Sequence, residues 1–370
     1  MKLLIKNGLV IDPANKINEI MNILIEDEII VKTHASEDEY ADKVIDAKGL
    51  VVMPGFVDLH VHFRDPGFEY KETIETGSMA AAHGGVTSVC TMPNTKPATD
   101  SVEGIKYAIS EGKKYGFTNV LPLGAVTLGQ EGRELTDIKA LKEAGAIALS
   151  EDGKSVMDVV LYQEAMKLAA ENDILIMAHC EDKALVNGGV INAGAKQKEL
   201  GLRGITNSVE DVITARDIFL ADEAGARLHL CHCSTKGVVE LMRMAKKNGM
   251  KVTAEVCPHH FVLSDSDIPC DDAMYKMNPP LRSKEDVDAL IEGLKDGTME
   301  VISTDHAPHS AEEKSGPLEK APFGITGLET SFALSYTHLV KTGIINLEKL
   351  VYMMSEKPRI IGRIPKANFL

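Results

Sequence analysis

The strongest constraint in this chain is a count. Between residues 56 and 304, eight short β-branched runs alternate with longer segments of helical periodicity, the mark of repeated βα units around a parallel sheet. The runs lie at 56–62, 86–92, 120–126, 146–150, 174–179, 227–232, 252–257 and 300–304, with helices expected at 159–172, 209–224, 236–248 and 284–295. Eight such units predict an α/β fold, a closed (β/α)8 TIM-type barrel. Such a barrel takes about 250 residues, so the 370-residue chain has length left for an accessory part. An open doubly wound sheet is the competitor, but no Gly-x-Gly-x-x-Gly turn follows the first run. Ahead of the barrel, residues 2–11, 23–33 and 44–52 alternate like short strands broken by Asp-Pro, Glu-Asp and Lys-Gly turns. The expected layout is a small N-terminal β-module over 1–54, the barrel over 55–350 and a short C-terminal segment over 351–370. With no linker or low-complexity tract between them, module and barrel should pack directly.

Almost every barrel run ends in residues able to bind a metal or hold a substrate. The first ends in His60-Val61-His62, whose imidazoles share a face because side chains two apart on a strand point the same way. The fourth ends at Ser150-Glu151-Asp152, the fifth at His179, the sixth at His232 and the eighth at Thr304-Asp305. The C-terminal strand ends carry the active site in this barrel type. Four histidines and two carboxylates there suit zinc, which accepts nitrogen and oxygen ligands and keeps an open position in catalytic sites. Taken singly, His179 or His232 would read as a satisfied core histidine; together at strand ends they read as one site. His83, His229, His259 and His260 take the structural reading, His229 because its strand parity is opposite to that of His232 and the last two because Pro258 looks like the start of a loop. His34 and His338 look like surface residues.

The formal net charge of -15 argues against a nucleic-acid partner, which needs clustered Lys and Arg. No apolar stretch is long enough to cross a bilayer and no signal-peptide pattern opens the chain, so a cytoplasmic protein without a membrane partner is expected. The six cysteines lack the framework of a secreted disulfide scaffold and read as reduced thiols. A zinc knuckle at Cys231 and Cys233 is disfavoured by their single-residue spacing.

Four strings narrow the reading further: His60-Val61-His62-Phe63-Arg64-Asp65-Pro66-Gly67, Thr91-Met92-Pro93-Asn94-Thr95, Met277-Asn278-Pro279-Pro280-Leu281-Arg282 and Asp305-His306-Ala307-Pro308-His309. Together they resemble the bacterial class I dihydroorotases of the amidohydrolase superfamily, in order from the N-terminal module to about Gly362. The resemblance implies one or two Zn2+ ions held by His60, His62, Asp152, His179, His232 and Asp305. Asp152 then stands where many relatives bridge the metals with a carboxylated lysine; Glu151 competes for that place and Lys154 lies too far along. It also implies a zinc-activated water that opens the dihydroorotate ring, with Asp305 as general base, to give N-carbamoyl-aspartate, a step of pyrimidine synthesis. Arg64, Asn94 and His309 would hold the substrate carboxylate, Asn278 the ring, and Pro322, Phe323 and Gly324 would touch the ring through backbone. An ion pair with Asp65 is the structural alternative for Arg64. A homodimer, or association with another pyrimidine-pathway enzyme, is compatible with the family.

The C-terminus departs from the pattern. Relatives continue for several dozen residues beyond the point where this chain stops, so a truncated chain with an incomplete N-terminal sheet is the expectation, and with it lower stability or association through an open edge. A mobile connection is expected over 316–324. Two other functions stay in view: another cyclic-amide hydrolase such as an allantoinase or dihydropyrimidinase, and a catalytically silent barrel partner.

Overall fold

Each of the eight runs becomes a barrel strand in the computed structural model, which describes residues 1–365. The first five strands precede the barrel: β1 (Lys2–Asp12), β2 (Ile17–Glu26), β3 (Ile29–Thr33), β4 (Lys43–Asp46) and β5 (Val51–Val52). They form one sheet in the order β3-β2-β1-β4, with β5 also on β1. β2 and β3 are a hairpin whose turn uses Asp27 at φ 56, a conformation Asp tolerates better than most residues.

The barrel strands are β6 (Phe56–Val61), β7 (Val86–Thr91), β8 (Asn119–Pro122), β9 (Gly124–Ala125), β10 (Ala148–Ser150) and β11 (Leu175–Ala178), then, after a small parallel pair β12 (Ile191–Asn192) and β13 (Gly204–Ile205), β14 (Leu228–Leu230), β15 (Val252–Val256) and β16 (Val301–Ile302). The run expected at 120–126 is split in two. Pro122 has no N–H to give the ladder; β8 pairs with β7 and β9 pairs with β10, so the chain changes neighbour there. All barrel pairings are parallel, and because both faces of each strand are covered the strands read as near-continuous apolar runs. The ring closes just beyond β16, where His62 N–H donates to His306 O at 2.8 Å. Buried Asp58 reinforces the seam by accepting from Thr304 N–H at 3.1 Å and His60 N–H at 3.0 Å.

Helices follow the strands as expected, among them Val159–Glu171, Ser208–Ala224, Lys236–Lys247 and Lys284–Asp296. They are capped by Asp158, Thr235 and Ser283, whose side chains accept first-turn N–H groups, and Ser208–Ala224 ends on Gly225 in the left-handed conformation. One core lies between strands and helices, built around Leu149, Ile176, Leu228, Val239 and Leu290; a second fills the barrel interior with Leu59, Leu123, Leu175, Met177 and Val301.

One sequence expectation needs correction. Pro258 opens a short helix, Pro258–Val262, rather than a loop, since Pro is well placed in a first helical turn. The last five residues of the C-terminal segment, 366–370, lie outside the described residues.

Candidate active site

The six residues expected at the rim converge. His60, His62, Asp152, His179, His232 and Asp305 are all buried, and their polar atoms face one another. His60 Nε2 lies 3.2 Å from Asp152 Oδ1 and 3.4 Å from Asp305 Oδ1. His62 Nε2 lies 3.0 Å from Asp305 Oδ1 and 3.4 Å from Asp152 Oδ2. On the far side, Asp152 Oδ1 is 3.5 Å from His179 Nδ1 and 3.6 Å from His232 Nε2, and those two nitrogens are 2.8 Å apart. Asp152 therefore sits between two sets of imidazoles. Glu151, its sequence rival, points away and accepts from Thr127 N–H at 3.1 Å, while Lys154 donates to Gln130 O at 2.9 Å.

The way His232 reaches the site corrects the parity argument. On β14 it is His229 that faces the barrel interior, where it meets Glu255 and Thr253. His232 turns inward only because its backbone adopts φ 34, and Asp305 sits at φ 49; positive φ in non-glycine residues is uncommon and costly, and marks functional sites when observed.

Hydrogen bonds fix which ring nitrogens are free. His62 Nδ1 is 2.8 Å from the amide oxygen of Asn94, which can only accept, so Nδ1 carries the proton and Nε2 presents a lone pair. His60 Nδ1 is 2.8 Å from Glu255 Oε1, with the same result. Two imidazole lone pairs thus face two carboxylates in a buried space, an arrangement that demands positive charge. In the chain alone that charge is protons: burial lowers the His60 pKa, but Asp152, Cys231 and Asp305 together drive it well above its ordinary value. Burial likewise raises the Asp152 pKa, and His60, His179 and His232 pull it well below the carboxylate range. A divalent cation satisfies the same demand. His60 Nε2 and Asp152 Oδ1, which face each other across the site, have no hydrogen-bond partner among the described residues. The ligand atoms of His60, His62 and Asp305, and those of His60, Asp152 and His232, each lie within 4.8 Å of one another. The donor set fits a divalent cation.

The expected substrate residues are brought to the same rim with more varied surroundings. Arg64, at φ 63, donates from Nε to Pro308 O at 3.2 Å and does not pair with Asp65, which instead accepts from the Tyr107 hydroxyl at 2.7 Å. Beside it, His309 Nε2 donates to Phe323 O at 2.7 Å while its Nδ1 accepts from Lys71 Nζ at 3.1 Å, so the ring is neutral; burial, then the Arg64 charge, push its pKa down to about 4. Asn94 is held from both sides, its oxygen by His62 and its amide nitrogen 3.4 Å from Asp152 Oδ2. Asn278 donates to Glu181, whose carboxylate is 3.7 Å from His179 Nε2. Around the segment 316–324, Lys314 Nζ donates to Lys276 O, Pro322 O and Gly324 O at 3.0, 3.3 and 2.9 Å, and Lys276 Nζ lies 4.4 Å from the Phe323 ring centre. Gly324 has φ 137, and a Cβ there would meet Ala307 O at 2.5 Å, so only glycine fits.

Sequence reading missed the carboxylates behind the rim: Glu255 on His60, Glu181 near His179, and Glu72, 3.0 Å from His306 Nε2. One signal was available for the first, a lone acid inside the apolar run 252–257.

A parallel barrel that gathers buried histidines and aspartates at its C-terminal rim in this way is a metal-dependent hydrolase of the amidohydrolase superfamily. Residues 49–238 match the family model described as dihydro-orotase-like. The chain is 51% identical over 360 residues to the dihydroorotase of Bacillus cereus (strain AH820), covering 97% of this chain and 83% of that one. It is 52% identical over 357 residues to the dihydroorotase of Bacillus caldolyticus, covering 96% and 83%. The chain belongs to the dihydroorotase family. Among solved structures it is similar to the L-hydantoinase (dihydropyrimidinase) of Arthrobacter aurescens, with a TM-score of 0.86 and 26% identity over 98% of this chain and 82% of that one. The dihydropyrimidinase of Brevibacillus agri NCHU1002, at TM-score 0.83 and 23% identity over 100% and 84%, shares the fold.

Proposed function

We propose that this chain catalyses the reversible hydrolysis of (S)-dihydroorotate to N-carbamoyl-L-aspartate in de novo pyrimidine synthesis, with His60, His62, Asp152, His179, His232 and Asp305 holding one or two zinc ions. The observation that carries the metal assignment is the pair of imidazole lone pairs, His60 Nε2 and His62 Nε2, aimed at Asp305 Oδ1 from 3.4 and 3.0 Å. Zinc bound there would polarise the amide carbonyl and lower the pKa of water. The remaining tasks fall to the chain. Asp305 is buried and lies beside both imidazoles, and it takes a proton from the attacking water and delivers it to the departing ring nitrogen. Arg64, with His309 and the 322–324 backbone beside it, receives the substrate carboxylate; a guanidinium offers it a planar pair of donors. Asn94 supports the site from behind His62 as well as from the substrate side.

The likeness to hydantoinase structures makes an uncharged cyclic amide the second reading. Ring opening of dihydroorotate, hydantoin and allantoin by zinc-loaded protein separates the two, together with Arg64→Met. On the proposed reading dihydroorotate is turned over fastest and Arg64→Met lowers its kcat/KM by about 10- to 100-fold, the scale of a lost charged hydrogen bond. Equal rates on all three rings, or an unchanged rate on dihydroorotate in the variant, would remove the assignment.

A further inference from the structure

Glu255 is the most enclosed carboxylate of the barrel, with no exposed side-chain surface, and nothing in the proposed chemistry uses it. It lies on β15, in the strand interior, and its two oxygens are fully employed. Oε1 accepts from His60 Nδ1 at 2.8 Å and from the His232 backbone N–H at 3.2 Å. Oε2 is 3.1 Å from His229 Nε2, and His229 Nδ1 in turn is 2.8 Å from the Thr253 hydroxyl. We propose that Glu255 is the positioning residue of the metal centre: one carboxylate that sets the His60 tautomer and pins the strained backbone of His232, and so fixes one ligand from each half of the site.

The geometry separates this role from the obvious rival. His60, Cys231 and Glu255 also offer three ligand atoms within 4.8 Å of one another, as an ion site would. The 2.8 Å between His60 Nδ1 and Glu255 Oε1 is a hydrogen-bond length, and Oε1 also accepts from the His232 backbone N–H, so its lone pairs are taken. A carboxylate behind a metal-bound imidazole orients the ring and raises its basicity, and removing such a partner costs about 10- to 100-fold in metal affinity. The second contact matters because His232 N–H belongs to a residue at φ 34, a conformation that needs its neighbours to hold it.

This inference rests on the ligand assignment above, and the test keeps the two apart. Zinc affinity of the full chain is measured by competition with a chromophoric chelator for the parent, Glu255→Gln and His229→Gln, with folding checked by circular dichroism and the Co2+ absorption spectrum recorded for each. The expected result is a folded Glu255→Gln that binds zinc about 10- to 100-fold more weakly with an altered Co2+ spectrum, and a smaller loss in His229→Gln, which leaves Oε1 in place. If Glu255→Gln does not fold, Glu255→Asp, which keeps the charge but retracts it, carries the same comparison. A parent that binds no metal would sink the ligand assignment. A parent that binds zinc while Glu255→Gln or Glu255→Asp binds it equally well would sink the positioning role alone. An extra zinc in the parent, lost in both Glu255→Gln and Cys231→Ser, would make Glu255 a ligand and overturn the inference.

Discussion

The two ends of the barrel solve opposite problems. At the C-terminal rim, imidazoles and carboxylates are buried in mutual opposition, with His62 backed by Asn94 and His60 by Glu255. At the other end, where β6, β7 and β8 begin, the N-terminal sheet and the barrel enclose a groove of about 710 Å3 lined by Ile5, Ile23, Ile25, Ile30, Val57 and Leu121. The polar groups on its border are already engaged: Asp12 accepts from Ala14 N–H at 3.0 Å, and Arg359 pairs with Glu356 at 2.7 Å. The groove supplies space without reactive groups, and the rim supplies the reactive groups. Convergent polar atoms held against their own preference define the site, whereas volume alone marks only loosely filled apolar surface.

The contrast is broken most directly at Asp305. If the rim is the reactive end, Asp305→Ala should lower kcat by at least about 10^3-fold, near the upper range for loss of a general acid–base group. The groove lies at the opposite end of the strands, so the variant should keep its fold by circular dichroism. Ring opening of dihydroorotate within tenfold of the parent would show that another group moves the proton.

The same contrast separates what sequence could show from what it could not. Parallel strands buried on both faces stand out as apolar runs, so all eight were visible, and residues such as His179 and Asp305 were visible because polar groups at the ends of such runs have few other reasons to be there. His232 is different. Its side chain enters the barrel against strand parity through a positive φ, a consequence of tertiary closure that local periodicity cannot encode. The link between His60 and Glu255 spans 195 residues of chain, and only the barrel's curvature brings β6 and β15 side chains together. The groove was illegible for a related reason. Ile23 and Ile25 alternate as any half-buried strand does, and the pattern says which face is apolar without saying how tightly it is covered.

Packing offers the next test. Leu290 is fully buried among the helices and strands of the main core, so Leu290→Ala should cost about 2–5 kcal/mol. Ile25 borders the groove, where the lost methyl groups already lack close neighbours on one side. Ile25→Ala should therefore cost under about 1.5 kcal/mol, nearer the smallest core truncations. Denaturant unfolding of both variants measures the difference, and the folded fraction of each should keep the parent's kcat. Equal destabilisation would mean that the groove is packed as tightly as the core.

The last effect concerns pH and returns to the rim. His259 is buried on the short helix after β15, and its Nε2 has no hydrogen-bond partner among the described residues. Burial, opposed by Asp305 and assisted by His232, depresses its pKa to about 4. Because the folded value lies below the ordinary value of about 6.5, the unfolded chain binds the proton first. This contribution to stability is therefore fully present above about pH 6.5 and is lost as the pH falls toward about 4. Between about pH 7 and about pH 5 the loss is on the order of 2 kcal/mol at most. A His259→Gln chain lacks this titration, so its stability should fall less over that interval than the parent's, whatever its stability at neutral pH. Parallel acid dependence in the two chains would show that His259 titrates with its ordinary pKa in the folded chain. The acid sensitivity of the rim would then belong to carboxylates such as Glu181, whose pKa is raised by burial but drawn down to about 2 overall by His179 and Asn278, and whose contribution is lost only below about pH 4.5.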